Sequence, residues 1–208
     1  MGKKGRPQLE DYFGERAQLY GDSDWMARNQ QQTTLRALSL LNSEYFSNDH
    51  PNTGGPLVAL DLGCGTGYSS EILAKENYRV YGIDLSWDMI QQNTSNSFRC
   101  LADIRHLPFR SKFFDFILSI SAFNFVTQGA QNRTHQKELI KTAISELARV
   151  LKPTGKVVIE FYPKETEIED YLTVCKSRVF SGGLFIDHPD TKREKKYLLL
   201  EKIKKRCF

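Results

Sequence analysis

We expect this chain to fold as an α/β protein, with a mostly parallel sheet of seven strands and helices on both faces. Short apolar segments alternate with helical ones along most of its length, and this alternation indicates crossover connections between parallel strands. The apolar segments lack a strict alternation with polar residues, as is typical of strands buried on both faces. The 208 residues, of which 40% are hydrophobic, suffice for one domain with a full core.

The single domain is predicted to consist of four stretches. Residues 1–11 are expected to be flexible, and 12–56 to form a helical lid followed by a loop rich in Asn, Asp, Pro and Gly. The α/β core is expected to span 57–200, and 201–208 to form a basic tail.

The strands of the core are predicted from short apolar runs, and the helices from apolar residues that recur on one face. The predicted strands are 57–62, 79–83, 98–102, 114–120, 157–161, 184–186 and 197–200. The predicted helices are 25–41, 68–75, 87–92, 134–150 and 168–180. The segment 152–155, Lys-Pro-Thr-Gly, is expected to break the chain before the fifth strand, and Gly182 and Gly183 to precede the sixth.

The composition argues against several classes of protein. The longest apolar run, 113–126, is interrupted by polar residues and is too short to cross a membrane. The basic first residues are not followed by the apolar stretch of a secretory signal. The four cysteines and four histidines lack the spacing of a metal site. We therefore expect a soluble intracellular protein that binds no metal.

The first predicted strand leads into a glycine-rich loop, Leu-Asp-Leu-Gly-Cys-Gly-Thr-Gly, at 60–67. Glycine lets the backbone approach a ligand closely, and the helix that follows presents free N–H groups. A dinucleotide site spaces its glycines as Gly-x-Gly-x-x-Gly, whereas here the spacing is Gly-x-Gly-x-Gly, with Asp61 two residues before the first glycine. Because that carboxylate would repel a pyrophosphate but suits a cationic amino group, the loop predicts S-adenosyl-L-methionine, which becomes S-adenosyl-L-homocysteine after methyl transfer.

Two further acids end the next two strands. Asp84 ends the second strand, where a carboxylate can accept hydrogen bonds from both ribose hydroxyls of an adenosine. Asp103 ends the third, where it can accept from the adenine amine while Met89 and Ile104 flank the ring. Each acid alone is equally explained by a helix cap or a turn. Their order at consecutive strand ends is what favours a cofactor crevice.

The expected cofactor site extends into the lid. Tyr20 and Arg28 are expected to reach the carboxylate of the methionine moiety, although an ordinary surface role explains them equally well. The complete cofactor-binding set is Tyr20, Arg28, Asp61, Gly63, Cys64, Gly65, Gly67, Asp84, Leu85, Met89, Asp103, Ile104 and Ser119.

The substrate side is expected after the fourth and fifth strands, which lead into Ser-Ala-Phe-Asn-Phe at 121–125 and Phe-Tyr-Pro at 161–163. Aromatic residues at such a rim can sandwich a flat base, and core packing is the competing interpretation for Phe123 and Phe161. The residues expected to bind substrate are Phe125, Tyr162 and Pro163, with Asn124 and Ser121 as positioning candidates. No residue is assigned a certain catalytic role, because no histidine or serine lies in a hydrolase motif.

Basic residues concentrate near the end of the chain. The segment 192–208 carries eight basic residues and two acidic ones, and Lys3, Lys4 and Arg6 form a smaller cluster at the start. An RNA-facing patch and a solvated edge explain this distribution equally well.

Several longer stretches resemble a known family. They are 34–41 (TLRALSLL), 114–122 (FDFILSISA), 161–164 (FYPK) and 180–184 (FSGGL), together with the glycine loop. Over about 12–200 the chain is similar to the eukaryotic small-subunit rRNA guanine-N7 methyltransferases of the bud-site-selection type. Phe125 stands where that family usually has tryptophan.

The resemblance implies a Rossmann-like class I methyltransferase fold and methyl transfer to guanine N7 in small-subunit rRNA during ribosome biogenesis. It also implies a nuclear or nucleolar location in a eukaryote, or a cytoplasmic one in an archaeon. Two alternatives stay open: a tRNA or protein methyltransferase that uses the same activator subunit, and a ribosome-assembly factor whose binding matters more than its catalysis.

The resemblance further implies two partners, the pre-small ribosomal subunit and a small zinc-binding activator subunit. The activator of such enzymes adds a β-strand to the sheet and forms a heterodimer. In the usual class I strand order the third strand lies at an edge and offers unpaired backbone groups. The expected interface is Phe98, Arg99, Cys100 and Leu101.

Overall fold

The computed structural model describes residues 8–41, 43–46, 55–175 and 179–203. The strands are β1 (Val58–Leu62), β2 (Arg79–Asp84), β3 (Phe98–Leu101), β4 (Phe114–Ile120), β5 (Leu151–Phe161), β6 (Phe180–Asp187) and β7 (Lys195–Lys202). The helices are α1 (Glu15–Gly21), α2 (Asp24–Leu41), α3 (Tyr68–Lys75), α4 (Trp87–Gln91), α5 (Arg133–Val150) and α6 (Glu165–Cys175). Two short 3₁₀ helices span Leu9–Tyr12 and Phe123–Thr127.

The seven strands form one sheet in the order β3-β2-β1-β4-β5-β7-β6. The pairs from β3 to β5 are parallel, and β7 pairs antiparallel with both β5 and β6. The predicted α/β fold with a mostly parallel seven-stranded sheet is therefore confirmed. The third strand lies at one edge, as the resemblance implied.

The centre of the sheet is buried on both faces. All seven residues of β4 are buried, and one face packs against α5 and α6 through residues such as Ile144 and Tyr171. The other face packs against α2 and α3 through Ala37 and Leu73. This sandwich explains why the central strands are apolar with little alternation. None of the described helices is long and apolar enough to cross a membrane.

The predicted break at 152–155 is wrong, because β5 begins at Leu151. Its register with β4 shifts between Phe114, which faces Leu151, and Phe116, which faces Lys156. Pro153 is tolerated in this irregular part of the strand, where a missing N–H costs no regular ladder hydrogen bond.

The sequence also misplaces the boundary between the last helix and β6. The predicted helix 168–180 is shifted, since α6 spans Glu165–Cys175 and Phe180 already belongs to β6. Gly182 and Gly183 lie inside β6 rather than before it. A Cβ on Gly182 would lie 2.0 Å from the carbonyl oxygen of Leu199 on β7, so the close approach of the two strands requires glycine there.

The ends of the chain follow the prediction in part. Residues 1–7 and most of the loop 47–56 lie outside the described residues, whereas 9–11 of the stretch expected to be flexible belong to the 3₁₀ helix Leu9–Tyr12. The basic tail 201–208 begins inside β7, which runs to Lys202, and 204–208 are outside the described part.

The burial of β4 gives a test of the core. Leu118→Ala removes a side chain that is 0% exposed at the centre of the sheet, whereas Leu35→Ala removes one that is 52% exposed on α2. We expect Leu118→Ala to lower the free energy of unfolding by about 2–5 kcal/mol, because it leaves a cavity. Leu35→Ala should cost less than about 0.5 kcal/mol. Denaturant unfolding with an unchanged m-value measures both, and equal losses would contradict this placement of β4.

Candidate active site

The carboxyl ends of β1, β2, β3 and β4 open into a cleft. The strand order reverses between β1 and β4, because β1 leads to β2 on one side and β4 leads to β5 on the other, and open α/β sheets place ligands at such a point. The predicted residues that line the cleft are Tyr20, Gly63, Cys64, Gly65, Asp84, Leu85, Met89, Asp103, Ile104, Ser121 and Phe125. The structure thus brings together residues from four strand ends and the lid.

The glycine loop is held against its neighbours by backbone contacts. The N–H groups of Gly63 and Cys64 both donate to the carbonyl oxygen of Ile83, at 2.8 and 2.9 Å. Gly63 has φ +72°, and a Cβ there would lie 2.1 Å from the Cβ of Ala122. Any side chain at Gly63 would therefore displace either this loop or the loop after β4.

Asp84 closes the glycine loop from the neighbouring strand. Its Oδ2 accepts from the N–H of Gly65 at 2.9 Å, and its Oδ1 accepts from the N–H of Ser86 at 2.8 Å. Burial raises the pKa of Asp84 above its usual value, although these backbone donors oppose the effect. Each carboxylate oxygen has lone pairs beyond those used here, so Asp84 can also accept from the two hydroxyls of a ribose.

Asp61 does not line the cleft, which corrects the expectation that it would meet a ligand amino group directly. The Asp61 side chain is fully buried, and its Oδ2 accepts from the hydroxyls of Ser69 at 2.7 Å and Ser70 at 2.6 Å. Its Oδ1 has no hydrogen-bond partner among the described residues. Burial raises the pKa of Asp61 to about 6, with the two serines opposing the shift. Because Ser69 does line the cleft, Asp61 influences it through that side chain and through its charge.

Asp103 lines the cleft but is already paired with Arg105. The Arg105 guanidinium approaches both carboxylate oxygens, with Nη2 at 2.6 Å from Oδ2. The backbone N–H of Arg105 donates to Oδ1, at a nitrogen–oxygen distance of 2.8 Å. Burial alone would raise the pKa of Asp103, but Arg105 holds it below the usual value. An adenine amine would therefore meet a carboxylate that is largely engaged, while Met89 and Ile104 remain available to flank the ring.

An aromatic cluster lines the side of the cleft where the sequence predicted the substrate. The ring of Tyr12 lies 5.5 Å from that of Phe125, edge-on, and 5.4 Å from that of Tyr20. The Tyr20 hydroxyl accepts from the side-chain amide of Gln30 at 2.9 Å. Burial raises the pKa of Tyr20 to about 12 and also raises that of Tyr12. Both phenols are therefore neutral at physiological pH, as suits a stacking surface for a base.

Three predicted cofactor residues besides Asp61 lie outside the lining. Arg28 is exposed on α2. The Ser119 hydroxyl donates to the carbonyl oxygen of Leu62 at 3.1 Å and so ties β4 to β1. Gly67 begins α3 with φ +93°, and a Cβ there would lie 2.2 Å from the Oδ1 of Asn93. Ser119 and Gly67 therefore support the cleft from behind, whereas Arg28 does not line it.

Three predicted substrate-side residues also lie outside the lining. The Asn124 side chain donates to the carbonyl oxygen of Ser121 at 3.2 Å and accepts from the N–H of Tyr162. Pro163 is buried, and Tyr162 is 37% exposed. Asn124 therefore joins the segments after β4 and β5, and the expected substrate contacts of Tyr162 and Pro163 are not part of this cleft.

Several lining residues were not predicted from the sequence, among them Leu9, Tyr12, Gln30, Tyr68 and Arg105. Tyr12 is fixed by a hydrogen bond from the Ser86 hydroxyl to its carbonyl oxygen, across 74 residues of sequence. The Tyr68 hydroxyl donates to the carbonyl oxygen of Gly21 at 2.8 Å. Such contacts leave no local pattern, so no sequence signal could have identified them.

The predicted basic patch needs correction at its centre. The Lys195 ammonium is half-buried and donates to the side chains of Thr33 and Asn29 on α2. Burial lowers the pKa of Lys195, and Lys196 is paired with Glu194. These two lysines therefore support the fold rather than an RNA surface. Among the described residues of this region, the exposed basic ones are Lys192 and Arg193.

The cleft suits an adenosine-containing cation. It combines acidic groups, Asp84 and the nearby buried Asp61, with the apolar side chains of Leu85, Met89 and Ile104. The unpartnered Oδ1 of Asp61 adds negative potential without a neutralising protein donor. Within the described ranges no cluster of three or more His, Cys, Asp or Glu side chains is placed to hold a metal ion.

Comparison with solved structures defines the class of fold. A methyltransferase described as SAM-dependent from Methanosarcina mazei superposes with a TM-score of 0.56 at 16% identity, covering 76% of this chain and 99% of that one. Magnesium protoporphyrin IX methyltransferase from Synechocystis, solved with bound SAH, gives 0.61 at 18% identity, covering 89% and 91%. The fold is therefore the Rossmann-like class I methyltransferase fold.

Sequence comparison defines the family. Residues 60–159 match the family described as a methyltransferase domain. The 18S rRNA (guanine-N(7))-methyltransferase of Bos taurus is 30% identical over 94% of this chain and 68% of its own length. The 18S rRNA (guanine(1575)-N(7))-methyltransferase of Saccharomyces cerevisiae is 35% identical over 87% of this chain and 64% of its own length. The chain belongs to the 18S rRNA guanine-N7 methyltransferase family, and it spans somewhat less than two thirds of the yeast relative.

The raised pKa of Asp61 predicts a pH-dependent effect of Asp61→Asn. The folded state prefers the protonated carboxyl, so the stabilisation is present below about pH 4 and is lost as the pH rises through about 6. Asn cannot ionise, so the variant should gain stability over the wild type between pH 4 and pH 8, by up to about 3 kcal/mol. Unfolding by urea at several pH values measures this difference.

Ser70→Ala serves as the companion to Asp61→Asn. It removes a donor that lowers the pKa of Asp61, so the loss of stability with rising pH should move to higher pH. A difference between Asp61→Asn and wild type that stays constant from pH 4 to pH 8 would contradict the buried, ionisable state of Asp61.

Proposed function

We propose that this protein transfers the methyl group of S-adenosyl-L-methionine to guanine N7 in small-subunit rRNA. The observation that carries the proposal is family membership, with 30% identity to a named 18S rRNA (guanine-N(7))-methyltransferase over 94% of this chain. The cleft supports it independently, because acidic and apolar groups at the strand ends adjoin an aromatic substrate side.

The residues of the cleft divide by the part of the cofactor that they suit. Asp84 is placed for the ribose hydroxyls, and Met89 and Ile104 for the adenine ring. The glycine loop and Asp61 lie at the first strand end, where negative charge suits a methionine amino group. The bound cofactor supplies an electrophilic methyl group on a sulfonium.

The chemistry of guanine N7 matches a site built for positioning. N7 carries an in-plane lone pair that Watson–Crick pairing does not use, so it attacks without prior deprotonation. The chain therefore has to hold the base in line with the methyl group and exclude competing geometries. The neutral rings of Tyr12, Tyr20 and Phe125 provide a surface against which a base can pack.

We also propose that the pre-small ribosomal subunit is the form in which the rRNA is presented. The exposed Lys192 and Arg193 next to β7 are suited to phosphate contacts. Such a role would place the protein where small subunits are assembled, which is the nucleolus in a eukaryotic cell and the cytoplasm in an archaeal one.

The free edge of the sheet supports a further part of the proposal, a small zinc-binding activator subunit that adds a strand to β3. Phe98 and Leu101 are 64% and 54% exposed on this edge strand, and Phe98 stacks on Tyr81 at 5.1 Å. Exposed apolar side chains on an unpaired edge are a hazard unless a partner covers them. Arg99, whose guanidinium donates to the carbonyl oxygen of Ser95, is the polar residue of this edge.

The partner proposal predicts that the isolated chain is poorly soluble or binds cofactor weakly. Phe98→Lys combined with Leu101→Lys should improve the solubility of the isolated chain and abolish binding to the activator, because both changes place charge on the edge. Size-exclusion chromatography with light scattering and calorimetric titration with S-adenosyl-L-homocysteine measure these effects. Full cofactor affinity and activity in a strictly monomeric wild-type sample would refute dependence on a partner.

The proposed activity is tested by mapping N7-methylguanosine in small-subunit rRNA at nucleotide resolution. Cells that lack the gene should lose one modification, which the wild-type gene restores and Asp84→Ala does not, because the ribose contact and the anchor of the Gly65 N–H are both lost. Glu169→Ala is the control, since it removes an 83% exposed carboxylate from α6.

The same experiment separates the alternatives. If cells without the gene keep an unchanged pattern of N7-methylguanosine in rRNA, rRNA is not the substrate, and a tRNA or protein acceptor is favoured. Loss of the modification with normal subunit assembly in Asp84→Ala cells would show that catalysis and assembly are distinct functions. A defect in assembly that Asp84→Ala fully rescues would favour the assembly-factor alternative.

A further inference from the structure

Glu160 is a buried carboxylate for which the proposed chemistry assigns no role. It lies near the end of β5 and is 0% exposed. Its Oε2 accepts from the N–H of Ser121 at 3.0 Å and from the Ser121 hydroxyl at 2.9 Å. Its Oε1 makes no hydrogen bond among the described residues. Burying a carboxylate carries a large desolvation cost, so its persistence at this point calls for a physical reason.

The residue that Glu160 holds has an unusual backbone conformation. Ser121 has φ +59°, a left-handed conformation that non-glycine residues rarely adopt because Cβ crowds the following carbonyl oxygen. Its N–H lies 3.0 Å from the carbonyl oxygen of Glu160 as well as near the carboxylate. Strained residues persist where their surroundings over-determine them, and both the backbone and the side chain of Glu160 do so here.

The conformation of Ser121 sets the position of the loop that follows it. Ser121, Ala122 and Phe125 all line the cleft. Ala122 is wedged against Gly63, where no Cβ can be accommodated. The Asn124 side chain bridges the Ser121 carbonyl oxygen and the Tyr162 N–H. The loop 121–125 is therefore anchored to Glu160 at Ser121, and Ala122 packs against the glycine loop at Gly63.

We propose that Glu160 is a positioning residue for the methyl acceptor: its carboxylate fixes Ser121 and thereby places Phe125 and the loop 121–125 for in-line transfer. This rests on the proposed function. Glu160 does not touch the reacting atoms, and it acts through Ser121. The Tyr162 hydroxyl and the Lys195 ammonium lie close enough to favour its charged form, and the Tyr20 and Tyr197 hydroxyls also lie near it.

Three substitutions at one position separate acceptor geometry from simple packing. Glu160→Gln keeps an oxygen that can accept from Ser121 and should keep kcat within about threefold of wild type. Glu160→Leu has no acceptor and should lower kcat by about tenfold or more, because the loop loses its anchor. Glu160→Asp shortens the reach and should fall between them. KM for a small-subunit rRNA fragment and the Kd for S-adenosyl-L-homocysteine should change little in all three.

Asp115→Leu is the matched control, because Asp115 is a buried acid near the opposite end of β4 that pairs with Lys152 and accepts from the Val58 N–H. It should lower stability without lowering the kcat of the folded protein. Hydrogen exchange of the peptide 119–126 adds a readout independent of substrate, and it should speed up in Glu160→Leu but not in Asp115→Leu.

Wild-type kcat in folded Glu160→Leu, or an equal loss in Glu160→Gln and Glu160→Leu, would overturn the positioning role. Unchanged exchange at 119–126 in Glu160→Leu would overturn it as well. Absence of methyl transfer to rRNA by the wild-type protein would instead overturn the proposed function, and the exchange comparison would still decide whether Glu160 anchors the loop.

Discussion

The rest of the site depends on one constraint, the hydrogen bonds by which the end of β2 fixes the glycine loop. The loop has few side chains of its own, so its shape comes from the Ile83 carbonyl oxygen, which accepts from Gly63 and Cys64, and from Asp84, which accepts from Gly65. Because one carboxylate both anchors the loop and faces the cleft, the geometry of the loop and the position of the group proposed to bind the ribose are coupled. The parallel pairing of β1 with β2 makes this possible by bringing the two strand ends side by side.

Long-range contacts cover the cleft that the loop opens. The 3₁₀ helix Leu9–Tyr12 is fastened to the start of α4 through Ser86, and α1 is joined to it through the Gly14 N–H and Asp88 at 2.8 Å. On the other side, α2 is tied to β7 by Lys195. The lid is therefore a set of segments fastened at several points, and it supplies Tyr12 and Tyr20 to an aromatic surface whose third member, Phe125, comes from the 3₁₀ helix after β4.

Two buried carboxylates lie on the strands that flank β4, Asp61 on β1 and Glu160 on β5. Each accepts from serine hydroxyls on one oxygen, and its other oxygen has no hydrogen-bond partner in the part of the chain that the structure describes. Such groups cost folding free energy, and burial raises the pKa of both. Asp61 contributes charge near the glycine loop, and Glu160 fixes the conformation of the loop 121–125. The free energy of folding that these two carboxylates cost is lost beside the cleft, where polar groups must be held in fixed positions.

The sequence by itself determined the class of fold and the strand ends that form the site. Hydrophobic runs and glycine spacing are local, and parallel strands bring their carboxyl ends to one edge, so Gly63, Asp84 and Asp103 could be assigned to a shared crevice before any contact was known. The resemblance to relatives gave the acceptor base, which these local patterns do not specify. Boundaries that depend on pairing, such as the start of β5 and the inclusion of Gly182 in β6, were misplaced because the partner strand sets them.

Only the tertiary structure decided the roles of individual side chains. Asp61 accepts hydrogen bonds from serines on α3 and does not line the cleft. Asp103 is paired with Arg105. Lys195 donates to a side chain on α2 rather than being exposed. Tyr12 enters the site through a hydrogen bond that spans 74 residues. The reason is the same in each case: hydrogen bonds and burial are properties of side chains brought together in space, and residue type and spacing do not record which neighbour each one meets.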